Sequence, residues 1–239
     1  MSVMVWLWGI MKTYLIFDFD STFVSVEGLD ELARIALRDT PDRDVRLAKI
    51  EELTRDAMEG RLGFAASLSK RLELFKPHEE HIAEVVQLLK ERVTPSFLAR
   101  QEDLRTMADD LFIVSGGFRE CIVPVVAEFG IAPERVYANT FVRDATGVVT
   151  GCDTNNPCAQ NSSKVMVLER LGLEGRVVMI GDGHSDYQPR AAGVADMFVA
   201  FTENVARPAV VERADAVATS LDEVLDLVRS DASWYSIRA

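Results

Sequence analysis

Cysteine is scarce in this chain: Cys121, Cys152 and Cys158 are the three among 239 residues. An odd, sparse set gives no disulfide framework and no paired thiolate spacing, so a reducing compartment, the cytoplasm, is expected. Histidine is equally rare. His78 and His81 in Pro77-His-Glu-Glu-His81 lack further ligands at zinc spacing and read as the start of a helix. Glycine and proline number 14 and 8, and no internal repeat, low-complexity run or Pro/Gly/Ser linker occurs, which excludes collagenous, solenoid and linker-rich architectures. No apolar run approaches the ~20 residues a membrane-spanning helix needs. The apolar stretch Met1–Ile10 carries no basic n-region and no small-residue cleavage site, against a secretory signal, and Met11 is an alternative start. Basic residues are also in the minority, 26 Lys+Arg against 38 Asp+Glu, for a net charge of −12. That acidity excludes nucleic acid and anionic membrane as partners. Taken alone it also argues against a phosphate-bearing ligand.

What is present is an ordinary globular composition, 48% hydrophobic and 27% charged, at a length that suits a core domain with one insertion. Tyr14-Leu-Ile-Phe17 is a short continuous apolar run ending in Asp18, the pattern of a buried parallel strand. From about residue 28 to 92 the period is helical. Leu29, Leu32, Ala33 and Ala36 repeat at i, i+3, i+4, i+7, as do Ile82, Val85, Val86 and Leu89. Thr40-Pro41 is expected to start a helix as N-cap and N1, and Gly60 to end one. Beyond residue 110, apolar runs at Leu111–Val114, Val177–Ile180 and Met197–Phe201 alternate with amphipathic stretches at 118–128, 163–172 and 220–229. Residues 141–150 read as a hairpin turning near Asp144–Gly147. Alternating β and α predicts a parallel sheet covered on both faces, an α/β fold. The expected division is a discontinuous core of 12–22 and 95–230, a helical insertion of 23–94, and terminal extensions of 1–11 and 231–239.

Ligands of open parallel sheets bind beyond the carboxyl ends of the strands. There the apolar runs give way to Asp18-Phe-Asp20-Ser-Thr, to Ser115-Gly116-Gly117 and to Gly181-Asp182-Gly-His-Ser185-Asp186. A helix beginning near Asn161-Ser-Ser-Lys164 falls between the last two. Clustered carboxylates repel one another unless a cation joins them, and an all-oxygen set suits Mg²⁺, which keeps room for water and a phosphate. Such a metal, with Lys164, Ser115 and loop N–H groups, would hold a phosphoryl group and neutralise its developing charge. Asp18, at a rigid strand end, is the expected nucleophile, and Asp20, two residues on, the expected general acid and base. Each motif alone has a commonplace explanation: a D-x-D on the surface, a serine in a turn, a solvated helix lysine. Four in order at successive strand ends do not.

In that order and on these residues, the chain resembles the haloacid dehalogenase superfamily of phosphohydrolases from residue 13 to about 228. The resemblance implies a Rossmann-like core with a helical cap inserted after the first strand. Asp18 is implied as nucleophile, Asp20 as acid/base, and Ser115 and Lys164 as phosphate contacts. Mg²⁺ is implied on Asp18, Asp182 and the backbone carbonyl of Asp20, supported by Asp186. Residues 18–33 and Met58–Arg71 are similar to the phosphoserine phosphatases within that superfamily. Their pocket residues fall at Glu27, Met58, Phe64 and Arg71, with Gly116, Gly117 and Ser185 beside the phosphate. Phosphoserine is therefore the favoured small phosphorylated metabolite, handled by a monomer or homodimer in serine biosynthesis; the alternatives are the same chemistry on a phosphosugar or another phosphoamino acid, phosphotransfer to an acceptor, and, remotely, a receiver-type signalling module. Phe64, Leu68 and Arg71 lie at i, i+4, i+7, so Arg71 shares the apolar face of its helix and can clamp a carboxylate bidentately, while Glu27 can pair with an ammonium. His184-Ser185 departs from the family, which usually has a small residue and then Asn or Thr; the bulky His184 is expected to narrow the pocket. Counting Asp18, Asp20, Asp182, Asp186 and Glu27 against Mg²⁺, Lys164 and Arg71, the site is nearly neutral with metal and repels phosphate without it.

Overall fold

A computed structural model describes residues 12–230; the alternative start at Met11 and both terminal extensions lie outside the described residues. Among the described residues, strand β1 (Thr13–Phe17) comes first and is followed by four helices, α1 (Gly28–Ala36), α2 (Arg43–Met58), α3 (Phe64–Glu73) and α4 (Glu79–Glu91). Two short helices, α5 (Pro95–Ala99) and α6 (Gln101–Thr106), lead into β2 (Leu111–Phe118), α7 (Arg119–Val126) and β3 (Val136–Asn139). A separate two-stranded hairpin, β4 (Phe141–Arg143) and β5 (Val149–Cys152), precedes α8 (Ser163–Leu171), β6 (Arg176–Gly181), α9 (His184–Ala191) and β7 (Met197–Phe201). The described chain closes with α10 (Pro208–Val211), β8 (Ala216–Ala218) and α11 (Leu221–Ser230).

The main sheet has six strands in the order β3-β2-β1-β6-β7-β8, every neighbouring pair parallel. Its central strands are buried on both faces, which is why they read as unbroken apolar runs instead of alternating ones. The period of two still divides them. Leu15, Phe17, Ile113, Val178, Ile180 and Phe201 pack into one core, while Ile16, Phe112, Val114, Met179 and Phe198 pack into a second. Each such side chain contributes about 1.5–3 kcal/mol when fully buried. Strand order runs outward in one direction from β1 and in the other from β6, so the sheet's switch point lies between them.

The helical segment leaves and re-enters the core at one place. Val24 and Val93 form an antiparallel bridge, Ser25 N–H donates to Arg92 O at 2.8 Å and Thr94 N–H to Phe23 O at 3.0 Å. The apolar stripes predicted for α1 and α4 are buried, Leu29, Leu32 and Ala33 on one helix and Ile82, Val85, Val86 and Leu89 on the other. Thr40-Pro41, in contrast, does not start α2, which begins at Arg43 after Asp42. Thr40 N–H bonds to Leu37 O at 3.0 Å and Arg43 N–H to Thr40 O at 3.1 Å, so successive tight turns delay the first i→i−4 bond, Arg46 to Asp42, at 3.1 Å. Gly60 does follow the end of α2, with φ of +76°. The hairpin turns where predicted, its Asp144 carboxylate accepting from Thr146 N–H at 2.8 Å and Val148 N–H at 3.1 Å. Among the described residues no helix is long and apolar enough to cross a membrane.

Candidate active site

At the switch point, Asp18 N–H continues the ladder to Ile180 O at 2.9 Å, and the Asp18 carboxylate turns back to accept Phe19 N–H at 2.6 Å. The chain then folds tightly through Ser21, a non-glycine residue at φ of +53°. This conformation carries a steric penalty of roughly 1–2 kcal/mol. Ser21 Oγ donates to Glu27 Oε1 at 2.6 Å, and Ser21 N–H to Val26 O at 3.2 Å, which hold it there. Asp20 thus reaches the first turn of α1, where its Oδ1 accepts Gly28 N–H at 2.8 Å. Burial, and then the nearby Glu27 and Asp18, push its carboxyl well above the usual carboxylate range, with the Gly28 N–H opposing.

Behind Asp18, the buried carboxylates of Asp18, Asp182 and Asp186 offer three oxygens within 4.8 Å of one another. Three hard oxygen donors with no sulfur and no imidazole among them fit a divalent cation of the Mg²⁺ type. Lys164 sits beside them, its Nζ 2.9 Å from Asp18 Oδ2 and 2.5 Å from Asp186 Oδ1. Burial works against this ammonium, but the two carboxylates prevail and raise its pKa, so it stays charged. Asp186 also accepts Gly183 N–H at 2.9 Å; burial nonetheless pushes its carboxyl up to about 6. Gly181 must be glycine here, since a Cβ would stand 2.2 Å from Asp186 Cγ.

The second strand end supplies Ser115, buried, with its Oγ accepting Gly117 N–H at 3.0 Å. The pairing of β2 with β3 shifts register between Val114 and Phe118, freeing this short segment from the ladder. Asn139 Nδ2 donates to Gly116 O at 2.8 Å and fixes the orientation of the peptide. Phe64, at the start of α3, closes over Gly116 so tightly that a Cβ there would lie 2.6 Å from the ring.

All of the predicted catalytic and substrate-binding residues, Asp18, Asp20, Glu27, Met58, Phe64, Arg71, Ser115, Gly116, Gly117, Lys164 and Ser185, line one cavity of about 180 Å³ between the strand ends and the helical segment. Asp182 and Asp186 lie behind its wall. Of the four acids predicted around the metal, Asp20 keeps its side chain out of the carboxylate trio and directs it to Gly28 N–H instead. Arg71 is buried on the inner face of α3. Its Nη1 donates to Thr54 Oγ1 at 3.0 Å and lies 3.6 Å from Asp30 Oδ1, while its Nε has no hydrogen-bond partner. Glu27 lines the same cavity; burial, then Asp30, push its carboxyl up to about 7 against the Ser21 hydroxyl and Arg207.

Several residues of the site escape a reading of the sequence. Arg207, in the loop after β7, places Nε 3.0 Å and Nη2 2.9 Å from Asp182 Oδ2, so the charge count made from motifs alone omitted one cation. Thr22 Oγ1 donates to the other Asp182 oxygen at 3.2 Å. Asp30 and Thr54 orient Arg71 from α1 and α2. Asn161 Oδ1 accepts Ala65 N–H at 3.2 Å and ties the start of α3 to the core loop. Asn204 Nδ2 donates to Thr94 Oγ1 at 2.7 Å and to Ser21 O at 3.2 Å, binding the first motif to the last loop. Thr22 and Asn161 stood in the strand-end and helix-start motifs without an assigned role, and Asn204 carried a weaker signal as a polar residue shortly beyond the apolar run of β7.

A family profile described as haloacid dehalogenase-like hydrolase matches residues 15–188. Phosphoserine phosphatase of Homo sapiens is 32% identical over 213 residues, covering 87% of this chain and 90% of that protein. Phosphoserine phosphatase of Methanocaldococcus jannaschii is 31% identical over 229 residues, covering 91% and 98%. A crystal structure of a phosphoserine phosphohydrolase-like protein from Francisella tularensis superposes with a TM-score of 0.80 at 30% identity, covering 91% of this chain and all of that one.

Proposed function

Since the chain belongs to the haloacid dehalogenase-like hydrolases and is a phosphoserine phosphatase-like phosphatase within them, we propose that it hydrolyses O-phospho-L-serine to L-serine and phosphate, with Mg²⁺ as its metal. The observation that carries the substrate is the cavity's second pole. Arg71 and Glu27 stand in the same 180 Å³ space as Asp18, Ser115 and Lys164. Phosphoserine has a carboxylate and an ammonium beside its phosphate, and these two side chains answer them in sign. We take residues 23–94 as the cap and 12–22 with 95–230 as the core it closes upon.

Asp18, Asp182 and Asp186 would hold the cation, with the Asp20 backbone carbonyl, and when bound it supplies charge neutralisation at the phosphoryl oxygens. Lys164, Ser115 and the N–H groups of the Gly116-Gly117 turn bind and orient the phosphate. An Asp18 carboxylate oxygen attacks phosphorus as the ester P–O bond breaks, forming an acyl phosphate. The leaving serine oxygen takes the proton of Asp20, whose burial keeps that proton in place until it is needed. Water then attacks the acyl phosphate, Asp20 accepts its proton, and phosphate leaves with Asp18 restored. Phe64 against Gly116 and the Asn161–Ala65 bond hold the helical segment over the reacting atoms and exclude bulk water.

The test is phosphate release from phosphoserine with and without Mg²⁺, alongside phosphothreonine, sugar phosphates and nucleotides. Asp18→Asn is expected to abolish release, and robust turnover by it overturns the assignment of the nucleophile. Arg71→Ala should depress phosphoserine turnover far more than that of an aryl phosphate. Equal losses on both would remove the amino-acid clamp and leave the phosphatase with another small substrate.

A further inference from the structure

A second groove of about 430 Å³ runs alongside the active cavity, bounded by Met58 and Glu59 on the helical side and by the segment from Val205 to Arg213, which includes α10, on the core side. Two side chains, Met58 and His184, border both spaces. His184 is the first residue of α9 and stands in sequence between Asp182 and Asp186, which lies in the helix's first turn. Its ring packs against Gly60, just past the end of α2, where a Cβ would come within 3.1 Å of Cδ2. Gly60, held at φ of +76°, is thus suited twice over to glycine. On its other side, Arg213 Nη1 stands 3.3 Å from His184 Nδ1, and its guanidinium lies over the Tyr187 ring at 5.7 Å. A guanidinium only donates, so Nδ1 accepts and the ring proton sits on Nε2. The ring is gripped between the helical segment's backbone and a core arginine.

We propose that His184, backed by Met58, is the partition that confines the substrate to the active cavity and so sets the size of phosphomonoester the enzyme accepts. Without the ring, the cavity and the groove would form one continuous space reaching toward Arg207 and Arg213. Phosphomonoesters with a bulkier organic group would then fit with their phosphate still on Ser115 and Lys164. The inference rests on reading the cavity as a phosphomonoester site; it does not require the substrate to be phosphoserine.

The experiment compares kcat/KM for naphthyl phosphate and phenyl phosphate in wild type, His184→Ala and His184→Phe, with folding checked by thermal unfolding. The naphthyl-to-phenyl ratio is expected to rise about tenfold or more in His184→Ala, the scale on which pocket shape discriminates apolar groups. His184→Phe, which restores bulk without the bond to Arg213, should return the ratio close to wild type. Met58→Ala opens the same partition from the helical side, should shift the ratio the same way, and decides the matter if His184→Ala does not fold. A purely structural role would lower both rates together. An unchanged ratio in the alanine variants, or a phenylalanine variant that behaves like alanine, overturns the proposal. Wild-type enzyme that cleaves both aryl esters but not phosphoserine would overturn the substrate reading alone.

Discussion

Lys164 offers the most decisive perturbation, because its ammonium is the one lysine charge set directly among the buried carboxylates. Lys164→Met keeps the length of the side chain and removes the charge, leaving Asp18 and Asp186 without the partner that stands 2.9 and 2.5 Å away. Removing one member of a buried ion pair costs about 3–5 kcal/mol, since the other charge stays desolvated. For a chain of this size each kcal/mol lowers the unfolding midpoint by about 2–4 °C, so a drop of about 6–20 °C is expected in EDTA at pH 8. The loss should shrink toward pH 5. Burial already holds Asp186 up at about 6 with the lysine in place, and losing the lysine raises it further. The folded variant then binds a proton that the unfolded chain, with an ordinary carboxyl near 3.9, has released. A carboxyl raised on folding favours the folded state at low pH and ceases to do so as pH rises through its folded pKa. Added Mg²⁺ should recover part of the stability at pH 8 by replacing the missing positive charge. Thermal and urea unfolding followed by circular dichroism, in EDTA at both pH values and then with Mg²⁺, measure all three. A loss below about 1 kcal/mol at pH 8, or one that grows toward pH 5, refutes the reasoning.

Other outcomes follow from the same geometry. Asp20→Asn should lower kcat for phosphate release by roughly 10²–10⁴-fold, the usual share of a general acid and base, while leaving the unfolding midpoint little changed or raised; a kcat within a few-fold of wild type would remove the role. Gly116→Ala would set a Cβ 2.6 Å from the Phe64 ring and should raise KM for phosphoserine. Paired with Phe64→Leu it should cost about 1 kcal/mol less in kcat/KM than the two single changes together, as touching residues couple. Glu27, pushed up to about 7 chiefly by burial, contributes stability that is present below about 4.5 and lost as pH climbs through 7. Wild-type protein in EDTA should therefore unfold more readily in urea at pH 8 than at pH 5, and Glu27→Gln should flatten that slope.

The candidate residues at the strand ends were legible because an apolar run that stops abruptly at a polar group announces itself. Asp18, Ser115 and Asp182 all do so. Arg71 was legible for a related reason, as a charge on an otherwise apolar helical stripe. What stayed hidden lacks such local contrast. Strands β3 and β8 are four and three residues long, too short for a period of two to register. Arg207 reads as one more surface arginine, and only the fold carries it to Asp182, 25 residues away. Asp30 reads as a solvated acid on α1, yet it is buried against Thr54, 24 residues on. Thr40-Pro41 misled because its cap chemistry is sound, but the backbone was already committed to turns closing α1.

The bridge between Val24 and Val93 ties the two ends of the helical segment directly to each other. Closing a chain between two fixed points depends only weakly on its length, about 0.6 kcal/mol for each doubling. The length of the insert is therefore a weak constraint on the sheet, while the apolar faces of α1 and α4, which share one core with β1 and β2, constrain its composition. Asp18, Ser115 and Asp182 stay on one side of that joint, while Met58, Phe64 and Arg71 travel with the insert. The residues proposed to recognise the substrate can accordingly change together, as one segment, while those proposed to react stay where they are.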